Sequence, residues 1–168
     1  MQMPIETDSL HDDSRKDLYR SLTPQWMALM DGEANRMANL ANLSSVIYSA
    51  FGWHWVGFYL VDDHRDELVL GPFQGPVACT RLYHGVGVCA AAWDNKSAQV
   101  VDNVHDFPGH IACSALSISE LVLPIIVAGN VVAVLDIDSS KAADFSADDV
   151  NGFSAVLNYV ASRWNQWE

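Results

Sequence analysis

The sequence predicts an α+β fold: a central, mainly antiparallel sheet with helices flanking it near both ends of the chain. Three observations carry this. Apolar residues recur at three- and four-residue steps in the first third and again in the last twenty residues, the period of an amphipathic helix. Between them lie short runs rich in β-branched and aromatic residues. These runs are joined mostly by connections of hairpin length, which makes neighbouring strands antiparallel. The chain has 168 residues, of which half are hydrophobic. Those bounds suit one domain, expected over residues 14–168, behind a flexible tail at residues 1–13.

Taken in order, residues 14–49 are helical. Met37, Leu40, Leu43, Ile47 and Phe51 share one face, and Asp31-Gly32-Glu33 divides the region in two. WVGFYLV (Trp55 to Val61) is a strand, DDHRDE its turn, and Leu68 to Leu70 the return strand. GPFQGP reads as a loop. Val77 to Leu82 is a short strand carrying Cys79, and HGVG leads into a short helix carrying Cys89. Gln99 to Val101 is another strand. The long stretch DNVHDFPGHIACSALS holds Cys113, and loops of that length in a compact domain are functional or disordered. Glu120 to Val127 and Val131 to Ile137 form a hairpin around Ala128-Gly129-Asn130. Ser146 to Asp149 resembles a capping box that opens a last helix. Val150, Phe153, Leu157, Val160 and Trp164 line the buried face of that helix.

The formal charge of −12 argues against nucleic acid and against anionic membranes as partners. The start of the chain lacks a basic flank followed by an apolar core, so a cytoplasmic location is expected. P-loop and Rossmann fingerprints are absent. The cysteines and histidines match no zinc-ligand spacing, and no metal or organic cofactor is expected.

Three groups of residues are candidates for chemistry. The first is the three cysteines, Cys79, Cys89 and Cys113. Buried thiols acting as small hydrophobes are one reading. A loop cysteine beside a histidine, as Cys113 stands near His110, is the other, because such a setting favours the thiolate. The second group is Glu120, Asp136 and Asp138. A three-residue hairpin loop pairs Val127 with Val131, Glu120 with Asp138 and Asp136 with Val122, and so puts all three acids on one side of the sheet. A two-residue turn at Gly129-Asn130 would split them between faces. On one face, like charges side by side call for a cation or for a protonated carboxyl able to act as a general acid. A solvated strand end is the alternative. The third group is Trp55 and Tyr59, four apart on a strand and so on one face. They would cradle a small methyl or sulfonium-like group, or simply fill the core.

The strings WVGFYL, LVLGPFQGPVACTR, GVGVC, FPGHIACS, SELVLPI and VLDIDS, in this order, resemble the free methionine-(R)-sulfoxide reductase family, whose members are single GAF domains. The resemblance runs from about Tyr19 to the last helix. It implies reduction of free methionine-(R)-sulfoxide by thiol chemistry. In that scheme Cys113 attacks, Cys79 resolves the sulfenic acid as a disulfide, and Cys89 has a supporting role. It also implies ligand-binding acids at Glu120, Asp136 and Asp138, with Glu120 serving the sulfoxide oxygen, and an aromatic pocket at Trp55 and Tyr59. A thioredoxin-like reductant would close the cycle, and the terminal helices allow a homodimer. The rival implication is a GAF sensor that binds a small ligand without turnover. The chain departs from the family pattern at Ser114, where Asp is common, at Leu116-Ser117-Ile118, where a polar residue is usual, and at Ala90, where Gly is common.

Overall fold

In the computed structural model the described residues are 15–110 and 114–168. The expected tail and Cys113 lie outside them. Two helices come first, α1 (Arg15–Met30) and α2 (Arg36–Phe51). Tyr19, Leu22, Trp26 and Met30 place a buried stripe on α1, and Leu40, Leu43 and Ile47 do so on α2. The break falls where the sequence puts it. Asn35 caps α2 by accepting from the Ala38 amide, and Gly52 ends it in the left-handed conformation, φ 65°.

Six strands follow: β1 (Trp55–Asp62), β2 (Glu67–Gln74), β3 (Arg81–Leu82), β4 (Gln99–Val101), β5 (Ser119–Val127) and β6 (Asn130–Ser139). A short helix, α3 (Val88–Asn95), lies between β3 and β4, and α4 (Ala147–Arg163) closes the fold. The strands form one sheet in the order β3-β2-β1-β6-β5-β4. Every pairing is antiparallel.

Alternation splits the sheet into two faces. Val56, Phe58, Leu121, Leu123, Ile125, Ala133, Leu135 and Ile137 join α1, α2 and α4 in the larger core. Trp55, Tyr59, Val122 and Val134 face the other way, toward α3 and its Cys89, Ala92 and Trp93. The apolar face of α4 is spent on this chain's own core, through Phe153, Val156, Leu157 and Val160. The capping box is present: Ser146 and Asp149 satisfy each other's backbone amides.

Three expectations are corrected. The return strand β2 runs on through Gln74, so GPFQ is strand rather than loop. Conversely, only Arg81–Leu82 of the strand expected over Val77 to Leu82 is strand, so Cys79 stands ahead of it in the connection from β2. The hairpin turn has two residues, Ala128 and Gly129, both at positive φ (49° and 81°), with Val127 opposite Asn130. This backbone twist suits a tight hairpin. A register shift between Ile125 and Ile126 then inserts Val132 as an extra residue. That bulge restores the pairing predicted from the longer loop: Glu120 faces Asp138 and Val122 faces Asp136.

Candidate active site

The second sheet face brings the candidate residues together. On three neighbouring strands, Trp55 pairs with Asp138 and Gly57 with Asp136, while Glu120 pairs with Asp138 from the far side. All three acids therefore share one face with Trp55 and Tyr59. Gly57 makes the aromatic arrangement possible. A Cβ there would come within 2.4 Å of both the Trp55 ring and Phe73 Cβ. The indole thus folds back over the glycine, parallel to Phe73 at 5.3 Å and tilted 26° from Tyr59 at 6.0 Å. Its Nε1 donates to the Pro76 carbonyl, and the Tyr59 hydroxyl donates to the Cys79 carbonyl. Two aromatic side chains of the strand thereby anchor the segment that carries Cys79.

The cleft above this face encloses about 560 Å³, part of it open to solvent. The acids, both aromatics and Cys89 form its floor and walls. Val77, Ala78, Val86 and Gly87 form one rim. His110 and Ser114, the described residues on either side of positions 111–113, also line it. Cys79 is in a disulfide, whereas Cys89 is a buried free thiol.

The electrostatics are unusual for so small a volume. Glu120 and Asp136 are both buried, at 6% and 7% exposure. Loss of water pushes both carboxyls well above the ordinary range, and the charge of Asp138 pushes both further. Burial also raises Asp138, to about 6, against the pull of a hydrogen bond from Ser117. Glu120 and the Cys89 thiol both hydrogen-bond Asp136. Burial, Asp136 and Glu120 raise the Cys89 thiol, which keeps it protonated and a poor nucleophile. Asp136 Oδ1 is buried with no hydrogen-bond partner. An orphaned carboxylate oxygen facing a cleft is a strong acceptor that awaits a donor. Burial, helped by Asp136, likewise raises Tyr59, so its phenol stays neutral.

The loop residues named from the sequence make contacts that the sequence did not predict. His110 Nδ1 lies 4.0 Å from Glu120 Oε2, and burial lowers the His110 imidazole, with His105 adding to it. The departures from the family pattern find roles. Ser114 Oγ is 3.0 Å from His54 Nε2 and accepts from the Leu116 amide, and Ser117 bonds Asp138. Ala90 packs fully buried within α3. The glycine in WVGFYL was a legible signal for Gly57, because glycine in a strand interior marks a close approach. No sequence signal pointed to His110 beside Glu120 or Ser117 beside Asp138.

Comparison with known proteins agrees with this geometry. A family model described as GAF domain matches residues 40–163. GAF domain-containing protein A of Dictyostelium discoideum is 49% identical over 147 residues, covering 88% of this chain and 92% of that protein. The free methionine-R-sulfoxide reductase of Escherichia coli (strain K12) is 44% identical over 145 residues, covering 86% and 87%. The X-ray structure of free methionine-R-sulfoxide reductase from Neisseria meningitidis, in complex with its substrate, superposes with a TM-score of 0.90. It is 45% identical and covers 92% of each chain.

Proposed function

Because this chain belongs to the free methionine-R-sulfoxide reductase family of GAF-domain proteins, we propose that it reduces free methionine-R-sulfoxide to methionine with its own thiols. The observation that carries the reading is the convergence of Glu120, Asp136 and Asp138 with Trp55 and Tyr59 in one cleft. A free amino acid brings an ammonium group, and three clustered acids, Glu120 and Asp136 buried and Asp138 half-buried, one of them with an orphaned oxygen, are matched to it. A peptide-bound methionine has no such ammonium, so the same acids discriminate against it.

In the proposed cycle the acids hold the ammonium and the aromatic pair covers the methyl. Amides of the loop around His110 to Leu116 hold the carboxylate. Glu120, whose carboxyl is pushed toward the protonated form by burial and by its neighbours, donates to the sulfoxide oxygen. The Cys113 thiolate attacks the sulfoxide sulfur, the protonated oxygen passes to Cys113 as methionine leaves, and Cys113 is left as a sulfenic acid. The Cys79 thiol condenses with it, releasing water and forming a disulfide. A thioredoxin-like dithiol reduces this disulfide by exchange. The disulfide at Cys79, beside a free Cys89, supports this assignment of the resolving thiol. Burial leaves Cys89 a supporting group. We place the reaction in the cytoplasm; among the described residues no helix is long and apolar enough to cross a membrane.

The cysteine roles are tested by single-turnover assays on reduced protein. Cys113→Ser is expected to release no methionine. Cys79→Ser is expected to release one methionine per chain and then stall with thioredoxin. Methionine release by Cys113→Ser would remove it as the nucleophile, and full cycling by Cys79→Ser would remove Cys79 as the resolving thiol.

A further inference from the structure

One thiol sulfur and two carboxylate oxygens meet in the floor of the cleft. Cys89 Sγ and one carboxylate oxygen each from Glu120 and Asp136 lie within 4.8 Å of one another, and all three residues are buried. The chain spacing of 31 and 16 residues hides this set, because α3 and the sheet bring it together only in the fold. Zinc bound at about 2.0–2.3 Å by sulfur and oxygen needs ligand atoms roughly 3–4 Å apart, which small side-chain rotations here supply. A second observation points the same way: Asp136 Oδ1, buried and lining the cleft, has no hydrogen-bond partner. His110, with Nδ1 4.0 Å from Glu120 Oε2, borders the cluster.

We propose that Cys89, Glu120 and Asp136 form a binding site for a borderline divalent transition ion, zinc foremost, and that the ion inhibits the enzyme by taking the place of the substrate's ammonium. The thiolate selects zinc or cobalt over magnesium and calcium, which prefer oxygen alone. On binding, metal–sulfur and metal–oxygen bonds replace the thiol proton and any proton shared by the carboxyls. Those protons leave to solvent, and nothing is oxidised or reduced. The binding claim stands on the ligand geometry; the inhibition claim rests on the reductase reading above.

The test uses full-length protein oxidised until one thiol per chain remains, so that Cys89 is the reporter. Cobalt(II) is titrated as a spectroscopic stand-in for zinc. We expect a near-ultraviolet thiolate-to-cobalt band that saturates at one ion per chain, is displaced by stoichiometric zinc, and ignores excess magnesium. Cys89→Ser should lose the band. Asp136→Asn should keep it with affinity weakened about tenfold or more. Circular dichroism melting checks that both variants fold. Excess methionine should weaken cobalt binding about tenfold, the competition that the inhibition claim requires. No band in the oxidised wild type, or a band retained in Cys89→Ser, overturns the site. Indifference to methionine overturns the inhibition. The readout needs no turnover, so a protein that binds cobalt as described yet makes no methionine sinks the reductase reading alone.

Discussion

Two buried aspartates, one on each side of the sheet, show how differently the two halves of this molecule use the same chemistry. Asp149, at the start of α4, is fully buried in the helical layer. It accepts from the Tyr19 hydroxyl at 2.7 Å, the Ser146 amide at 2.8 Å and the Arg15 guanidinium at 3.2 Å. Every donor is part of the fold, so the charge ties α1 to α4. Gly152 permits that closeness, since a Cβ there would meet the Tyr19 ring at 2.2 Å. Asp136, on β6, is buried almost as deeply, but among acids, with one oxygen unpartnered. The first carboxylate stabilises the structure. The second costs stability and makes sense only when a ligand completes it.

Mutation of each aspartate should break this contrast in opposite directions. Asp149→Ala removes the acidic half of the capping box, leaves the Tyr19 hydroxyl without its acceptor and leaves Arg15 with Asp144 alone. With Arg15 still held by Asp144, it should destabilise by about 3 kcal/mol, chiefly through the stranded Tyr19 hydroxyl and the lost amide acceptor, lowering Tm by roughly 6–12 °C in a chain of this size. Thermal unfolding measures it, and a drop under 2 °C would deny Asp149 its structural role. Asp136→Asn removes a charge from a crowded acidic cluster. It should leave Tm unchanged or raise it by a few degrees, while kcat/KM for the free sulfoxide falls about a hundredfold. A large loss of stability would mean that Asp136 supports the fold as Asp149 does.

A smaller, pH-dependent effect sharpens the same contrast. Although burial pushes Asp144 upward, the Ser139 hydroxyl and the Arg15 guanidinium outweigh it and hold this carboxyl below its ordinary value. A depressed carboxyl contributes stability that is present above its unfolded pKa and is lost as pH falls through its folded pKa. Between about pH 5 and pH 3 the wild type should therefore lose more Tm than Asp144→Asn. Parallel melting curves for the two proteins across that range would contradict the assignment.

Much of this division could be read from the chain, because alternation along strands and a 3.6-residue helical period are local signals. The three acids were placed on one face by counting outward from the hairpin. The count succeeded although the turn was one residue shorter than expected, because the bulge at Val132 compensated. Nothing in the sequence marks that bulge: Val131, Val132 and Ala133 continue an unbroken apolar run. The extension of β2 through Gly71 and Pro72 was obscured by residues that ordinarily end strands. Cys79 lies outside the strand because Pro76 and its neighbours carry the chain away after β2, and only Arg81 and Leu82 return to pair with it. The approach of His110 to Glu120, and of Cys89 to Asp136, depends on how a loop and a helix lie across the sheet. No local pattern encodes that placement.

The most direct test of the account is to offer reduced protein, without an external reductant, free L-methionine-R-sulfoxide, its S epimer and a peptide containing methionine-R-sulfoxide, and to measure methionine formed and thiols lost. The account predicts one methionine per chain from the free R epimer alone, with loss of two thiols. No methionine from that epimer, or equal yield from the peptide, would contradict it.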